Sequence, residues 1–318
     1  MQRRELGTSG LHISTIGLGS WAIGGWMWGT QDDKASEAAI HAAVDHGINW
    51  IDTAPIYGAG HSETVVGRAV KSLPAAQRPL IFTKFGVGAD TSVNRRAAGR
   101  ADVIAECDAS LLRLGVDHID LFQQHWPAGD PIAETARACE ELVRAGKIRA
   151  IGVSNYSVEQ LDEWLGTGVP LHSLQSPYSI LRPAVRDTVL PWSATHRVGV
   201  IAYSPLFRGL LFGTWTKDKV FPEGDARGTH KDYSGARFAR HIDAVREITD
   251  VAIQGGLSCP QLCIGVLLRT PGLTGCIVGA RNAQQGALAA SLGVAVTDAQ
   301  ASEVWAIIGR LEQDLARL

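Results

Sequence analysis

A carboxylate, a phenol, an amine and an imidazole stand in order in the first half of this 318-residue sequence, as Asp52, Tyr57, Lys84 and His125. Together such groups can deliver a proton to an oxygen that is gaining negative charge. A free tyrosine, with a pKa of about 10, is a poor acid at neutral pH. An ammonium beside it favours the phenolate, so Lys84 is expected to lower the Tyr57 pKa, while Asp52 keeps the lysine charged and oriented. An imidazole at position 125 can donate a hydrogen bond to the same oxygen and set its angle. Hydride addition to a carbonyl is a reaction that needs this set, because it leaves an oxyanion in want of a proton. Taken singly, each residue has a plainer reading. Asp52 and Lys84 suit an ordinary ion pair, Tyr57 in its Pro/Gly loop suits surface packing, and a lone histidine is usually structural.

Convergence of the four requires elements that bring distant segments to one face. Short apolar runs recur at residues 15–18, 49–52, 80–84, 119–123, 150–154, 173–175, 200–203 and 275–278, eight in all. Helical patterns lie between them. Ala35, Ala38, Ala39, Ala42 and Ala43 share a face behind the N-cap candidates Asp32 and Asp33. Ile132, Thr135, Ala136, Cys139, Leu142 and Val143 do likewise, with Asp130 as N-cap, Pro131 in the first turn and Gly146 as the stop. Val103, Cys107, Leu111 and Leu114 follow the same rule, ended by Gly115, and residues 188–194, 243–252, 260–268 and 304–315 are further helical stretches. Alternation of strand and helix predicts a parallel sheet covered by helices. Eight units favour a closed α/β fold, the (β/α)8 TIM barrel, with a short N-terminal β-hairpin cap and long loops at the C-terminal face, spanning residues 1–318 as one domain. An open dinucleotide-binding sheet would show G-x-G-x-x-G leading into a helix. Here the glycines of residues 17–25 run on into Trp26 and Trp28. Residues 212–240 read as a long loop over one face. In a barrel, chemistry gathers at the C-terminal strand ends, and Asp52, Tyr57, Lys84 and His125 fall there.

Composition narrows the partners. With 45% apolar and 19% charged residues the chain can bury a large core. A net charge of −2, with no Lys/Arg-rich block, argues against nucleic acid. The uncharged stretch 16–30 is too short to span a membrane, and the charged start lacks an apolar signal core, so a cytoplasmic protein is expected. Cys107, Cys139, Cys259, Cys263 and Cys276 contain no C-x-x-C pair and read as buried thiols. No cluster of metal ligands lies at the strand ends, so no metal is expected.

The string Ile51-Asp52-Thr53-Ala54-Pro55-Ile56-Tyr57-Gly58 resembles the signature of the aldo-keto reductase family. Lys84 after Phe82-Thr83 and His125 before Trp126-Pro127 complete that family's tetrad in order. The resemblance runs from Leu11 to about Gly286. Residues 17–28 and His61-Ser62-Glu63 are most similar to its bacterial branch of stress-related and inositol-operon NADPH-dependent reductases. It implies an oxidoreductase that reduces a small carbonyl compound, with Tyr57 as general acid. It also implies a cofactor site: Ser20, Trp21 and Asp52 near the reacting end, Ser154, Asn155 and Gln175 on the nicotinamide carboxamide, and Tyr203 stacked on its ring. Ser204, Pro205, Leu206, Arg208 and Gly209 would pass over the pyrophosphate, and Gly279, Arg281 and Gln285 would hold phosphate. By type alone, Ser154 and Asn155 serve equally as a helix N-cap. An arginine beside a helix N-terminus suits a 2′-phosphate, so NADPH/NADP+ is expected over NADH. Two departures bear on that end: Leu288 and Ala289 stand where the family carries Glu and Asn, and Thr214 replaces a common lysine.

Trp21, Trp26, Trp28 and Trp126, with Tyr57 and His125, are candidates for the substrate walls, suited to carbonyl compounds and sugar rings alike. Packing explains tryptophans equally well. Arg95 and Arg96 could draw an anionic substrate, although a solvated loop accounts for them too. A rival reading is a cofactor-sensing subunit of a larger assembly, like the reductase-like auxiliary subunits of potassium channels, which keep the same barrel. The sequence does not give the oligomeric state.

Overall fold

In the computed structural model the described residues are all but 26–30, 90–95, 224 and 226. The expectations for Trp26, Trp28 and Arg95 therefore lie outside the described residues.

The chain opens with an antiparallel hairpin, β1 (Arg3–Glu5) and β2 (His12–Ser14). Eight parallel strands follow: β3 (Ile16–Gly19), β4 (Trp50–Asp52), β5 (Leu80–Phe85), β6 (Ile119–Gln124), β7 (Ile148–Ser154), β8 (Ser173–Pro177), β9 (Gly199–Tyr203) and β10 (Leu273–Gly279). They pair in sequence order, and β10 closes on β3. This is the (β/α)8 barrel that the eight apolar runs predict. The runs lack alternation because both faces of a parallel barrel strand are covered.

Side-chain alternation on these strands decides what reaches the mouth. Trp50, Phe82, Leu121, Ala150, Ile201 and Ile277 fill the barrel interior, and Leu6, Leu11 and Ile13 of the hairpin segment plug its base. Residues two positions further along point inward as well, one layer higher. They are Asp52, Lys84, Gln123, Gly152, Tyr203 and Gly279. Trp50 fits because Gly17 leaves it room: a Cβ there would lie 2.2 Å from the indole. The Trp50 Nε1–H donates to the Ser14 carbonyl at 2.8 Å, which ties the barrel floor to the hairpin.

The helices are α1 (Asp33–Asp45), α2 (His61–Ser72), α3 (Arg100–Leu114), α4 (Ile132–Arg144), α5 (Val158–Gly166), α6 (Val189–His196), α7 (Gly235–Gln254), α8 (Cys259–Leu268), α9 (Ala283–Ala290) and α10 (Asp298–Leu315). Asp32 caps α1 by accepting the Lys34 N–H, and Gly115 ends α3 in the left-handed conformation. Asp130 does not cap α4. Pro131 occupies that position, and Asp130 accepts the Ala98 N–H at 2.6 Å, pinning the segment that leads into α3. The loop after β9 is shorter than residues 212–240, because α7 begins at Gly235 and buries Phe238 and Ile242 one turn apart. Ser154 and Asn155 do not cap α5; Ser157 does, in a capping box with Gln160. Among the described residues no single helix is long and apolar enough to cross a membrane. All five cysteines are free and buried.

Candidate active site

Four inward polar groups, Asp52, Lys84, Gln123 and Gln175, meet in one hydrogen-bonded cluster at the barrel mouth. Asp52 is paired with Phe82, Lys84 with Gln123, and Ser154 with Gln175. Lys84 Nζ donates to Asp52 Oδ1 at 2.6 Å and to the Thr53 carbonyl at 3.0 Å. The Gln175 amide donates to Asp52 Oδ2 at 2.8 Å, and Gln123 reaches the same oxygen at 3.4 Å. Every member of this cluster is buried. Burial pushes the Lys84 pKa down, and Asp52 opposes the shift.

The Tyr57 loop is held by backbone packing. Gly58 and Gly60 adopt φ of 64° and 89°, and the Gly24 backbone lies so close that a Cβ on Gly58 would sit 2.3 Å from the Gly24 carbonyl. A hydroxyl cluster anchors its base. Ser20 Oγ donates to the Asp52 carbonyl, and Ser62 Oγ meets both Ser20 Oγ and Thr53 Oγ1. The Lys84 ammonium lies 5.4 Å from the centre of the Tyr57 ring. The phenol's pKa is nevertheless raised well above its ordinary value, first by burial and then by the charge of Asp52 and by Tyr203. This corrects the expectation that Lys84 would lower it. The ammonium spends its hydrogen bonds on Asp52 and Thr53, and desolvation of the phenolate outweighs what attraction remains.

His125 follows β6, its N–H bonded to the Phe85 carbonyl at 2.9 Å. Its ring stacks on Trp126 at 4.0 Å and meets Tyr57 edge-on at 5.9 Å. Burial, then Lys84 and Arg96, hold its pKa well below the ordinary value, so the imidazole is neutral at physiological pH. Its Nδ1 is buried and has no partner among the described residues. Asn155, at φ 63°, donates to the His125 carbonyl at 3.0 Å and accepts the Tyr203 hydroxyl at 2.8 Å. A left-handed backbone at a non-glycine residue is costly, and here it aims the amide across the mouth.

A cavity of about 870 Å³ runs from these residues to α9. Trp21 and Trp126 line it, as do the predicted residues on β7, β8 and β9, the 204–209 segment, and Gly279, Arg281 and Gln285. Lys84 does not; it lies behind Asp52 and Tyr57. Ser204, Phe207, Arg208 and Gly209 have positive φ, which bends that segment around the opening. Arg208, Arg227 and Arg281 supply positive charge, and Leu288, Ala289 and Leu292 of the α9 region form an apolar wall where the family's polar pair is missing. Thr214 also lines the cavity. Amide and hydroxyl groups at one end, cations along the rim and an apolar wall at the other fit an extended dinucleotide.

Sequence reasoning missed several residues here. Thr53 contributes its carbonyl to Lys84 and its hydroxyl to Ser62, Gln123 contributes a buried amide, and neither has a type that advertises a role. Arg227 sits in the long segment after β9. It pairs with Asp225 at 2.6 Å, packs on Trp215 and Phe221, and donates to the Arg208 carbonyl at 3.1 Å. The D-x-R spacing is the one local signal that could have found it. Arg96 is solvent-exposed, as a solvated loop requires, and its guanidinium lies 5.3 Å from the centre of the Trp126 ring.

Residues 15–310 match the Aldo/keto reductase family. The chain is 40% identical to "Aldo-keto reductase YhdN" of Bacillus subtilis, over 90% of this chain and 86% of that one. It is 35% identical to the "NADH-specific methylglyoxal reductase" of Escherichia coli, over 95% and 97% of the two chains. The solved glycerol dehydrogenase of Gluconobacter oxydans superposes with a TM-score of 0.88 at 38% identity, covering 97% of this chain and 95% of that one.

Proposed function

This chain belongs to the aldo/keto reductase family, oxidoreductases that reduce carbonyl groups with a nicotinamide cofactor, and we propose that it uses NADPH to reduce an aldehyde, ketone or keto-sugar with Tyr57 as the general acid. One observation supports this reading above the others: the Tyr57 phenol and the His125 imidazole meet edge-on at 5.9 Å in the lining of the cavity, backed by the buried pair of Lys84 and Asp52.

The nicotinamide, when bound, supplies the hydride. Ser154, Asn155 and Gln175 would hold its carboxamide, Tyr203 its ring, and residues 204–209 the pyrophosphate. The substrate oxygen is received by Tyr57 and His125. His125, being neutral, has one N–H to donate, and the bond polarises the carbonyl without adding net charge. Tyr57 gives its proton to the oxygen as negative charge builds there. The phenolate left behind faces the Lys84 ammonium, so the cation acts after proton transfer, on the state the reaction creates, rather than by acidifying the resting phenol. Asp52 holds that ammonium charged against the cost of burial. Trp21 and Trp126 exclude water and present flat apolar walls.

Preference for NADPH rests on Arg281 and the N-terminus of α9, a setting that suits a 2′-phosphate. That a relative is named NADH-specific makes this the point to measure. The free buried thiols suit a reducing compartment, and we place the enzyme in the cytoplasm, its single barrel domain acting on small molecules. A purely cofactor-sensing role is less supported, since the Bacillus subtilis and Escherichia coli relatives at 40% and 35% identity are both named as reductases.

The test is Tyr57→Phe, assayed with a panel of aldehydes, ketones and sugars and by titration of cofactor fluorescence. Turnover is expected to fall by about 10²–10⁴-fold while NADPH affinity stays within about twofold. Unchanged turnover would remove Tyr57 from the chemistry.

A further inference from the structure

Arg281 lines the cavity where β10 gives way to α9, and its place there depends on a residue from the other end of the chain. Arg281 Nε donates to Gln31 Oε1 at 2.8 Å, and Gln31 Nε2 donates back to the Arg281 carbonyl at 3.0 Å. The second proton of that amide goes to Ser36 Oγ, also at 3.0 Å. Ser36 is buried in α1 and passes its own proton to the Asp32 carbonyl at 2.9 Å. The orientation of the carboxamide is thereby fixed. A backbone carbonyl can only accept, so the nitrogen must face Arg281 O, and the oxygen is left for the guanidinium. Gln285 completes the clamp by accepting the Arg281 N–H at 2.9 Å. Gln31 does not line the cavity.

We propose that Gln31 is a positioning residue for cofactor choice: it holds the Arg281 guanidinium in the plane that receives the 2′-phosphate of NADPH. The inference rests on the NADPH reading above. Bidentate recognition of a phosphate by arginine depends on the fork being presented in one orientation, and a guanidinium swinging on a four-bond side chain loses that advantage. A carboxamide that grips both Nε and the carbonyl of the same residue removes that freedom before the cofactor arrives. The 2′-hydroxyl of NADH carries no charge for the fork to meet, so Gln31 has nothing to contribute to its binding.

Dissociation constants for NADPH and NADH, taken from quenching of tryptophan fluorescence, test this in the wild type, Gln31→Met, Arg281→Met and the double variant, with melting temperatures alongside. Methionine keeps the length of the side chain and removes its hydrogen bonds. Wild type is expected to bind NADPH more tightly than NADH. Gln31→Met is expected to weaken NADPH by about fivefold to tenfold, within the range set by loss of one charge-assisted contact, with NADH affinity and kcat at saturating NADPH unchanged. The double variant should be no worse than Arg281→Met alone, because the two residues act as one unit. A wild type that does not favour NADPH overturns the NADPH reading, and this role for Gln31 with it. A wild type that favours NADPH through Arg281, with Gln31→Met binding both cofactors as before, overturns the role of Gln31 alone. Equal weakening of NADPH and NADH by Gln31→Met would mark a merely structural contact and would also overturn it.

Discussion

Lys84 Nζ donates to Asp52 Oδ1 at 2.6 Å from a side chain with no exposure to solvent, and Asp52 itself is only 4% exposed. An ion pair out of reach of water is held by its own geometry. Here a second ammonium proton goes to the Thr53 carbonyl, and the other carboxylate oxygen accepts from the Gln175 amide.

Removing one partner strands the other in a low-dielectric site. Asp52→Ala is expected to cost about 3–5 kcal/mol in folding stability, measured as a lower urea midpoint at unchanged slope. The double variant Asp52→Ala/Lys84→Met should recover part of that loss, because no charge is then left unpaired. Equal stability of Asp52→Ala and the wild type would show that the pair does not brace the barrel mouth.

The pH dependence follows from two displaced groups. Tyr57 keeps its proton past the ordinary range and His125 stays neutral below it, so the rate of reduction should show no inflection from His125 between about pH 6 and 8. For stability, the folded His125 pKa lies below the unfolded value of 6.5, so between the two the unfolded chain binds more protons. Its contribution is complete above about pH 6.5 and is lost as pH falls towards the folded pKa. Urea titrations of wild type and His125→Gln across that window would reveal the difference. An inflection near neutrality in the wild-type rate that vanishes in His125→Gln would contradict a neutral imidazole.

Glu106 gives the opposite sign. Burial, helped by Asp102 and Glu63, raises its pKa to about 7, against the Gly86 N–H and Arg113, which lower it. The folded protein therefore holds this proton more tightly than the unfolded chain. The stabilisation is complete below the ordinary 4.5 and disappears as pH rises through about 7. Glu106→Gln keeps the acceptor for Gly86 and removes the charge. With allowance for solvent screening of this half-buried group, it is expected to gain about 1 kcal/mol at alkaline pH and nothing under acid conditions. Chemical denaturation at the two extremes of pH checks it; a gain of equal size at both would show that charge is not the cause.

The barrel floor offers a packing test. A methyl group at position 17 would overlap the Trp50 ring, whose indole is fixed by the Ser14 carbonyl. Gly17→Ala should destabilise the protein by roughly 1–3 kcal/mol through overpacking. Combining it with Trp50→Leu should recover part of the loss in a thermal melt. Full tolerance of the single change would mean that the indole can move.

Most of the scaffold was legible in the sequence. Burial of both faces of a parallel strand leaves a continuous apolar run, and all eight runs became barrel strands. Strand ends carry the polar residues, so Asp52, Lys84 and His125 could be placed near one another from their positions alone, and Tyr57 followed from its loop. Local ambiguities were settled by neighbours the sequence does not show. Asp130 was a good N-cap by type, but a nearby Ala98 N–H claimed its carboxylate. The polar start of α7 looked like loop until Phe238 and Ile242 found a surface to cover.

What the sequence determined is the set of groups and the elements that carry them, because types and spacings are local. The tertiary structure decided their electrostatics and their partners. The Tyr57 pKa rises rather than falls because desolvation sums over everything packed around the phenol, whereas residue type suggested only the nearest charge. Gln31 and Arg281 meet across 250 residues of chain because α1 and α9 are neighbours in a closed barrel. Closure of the barrel joins the first strand to the last, and no local pattern records which side chains that brings together.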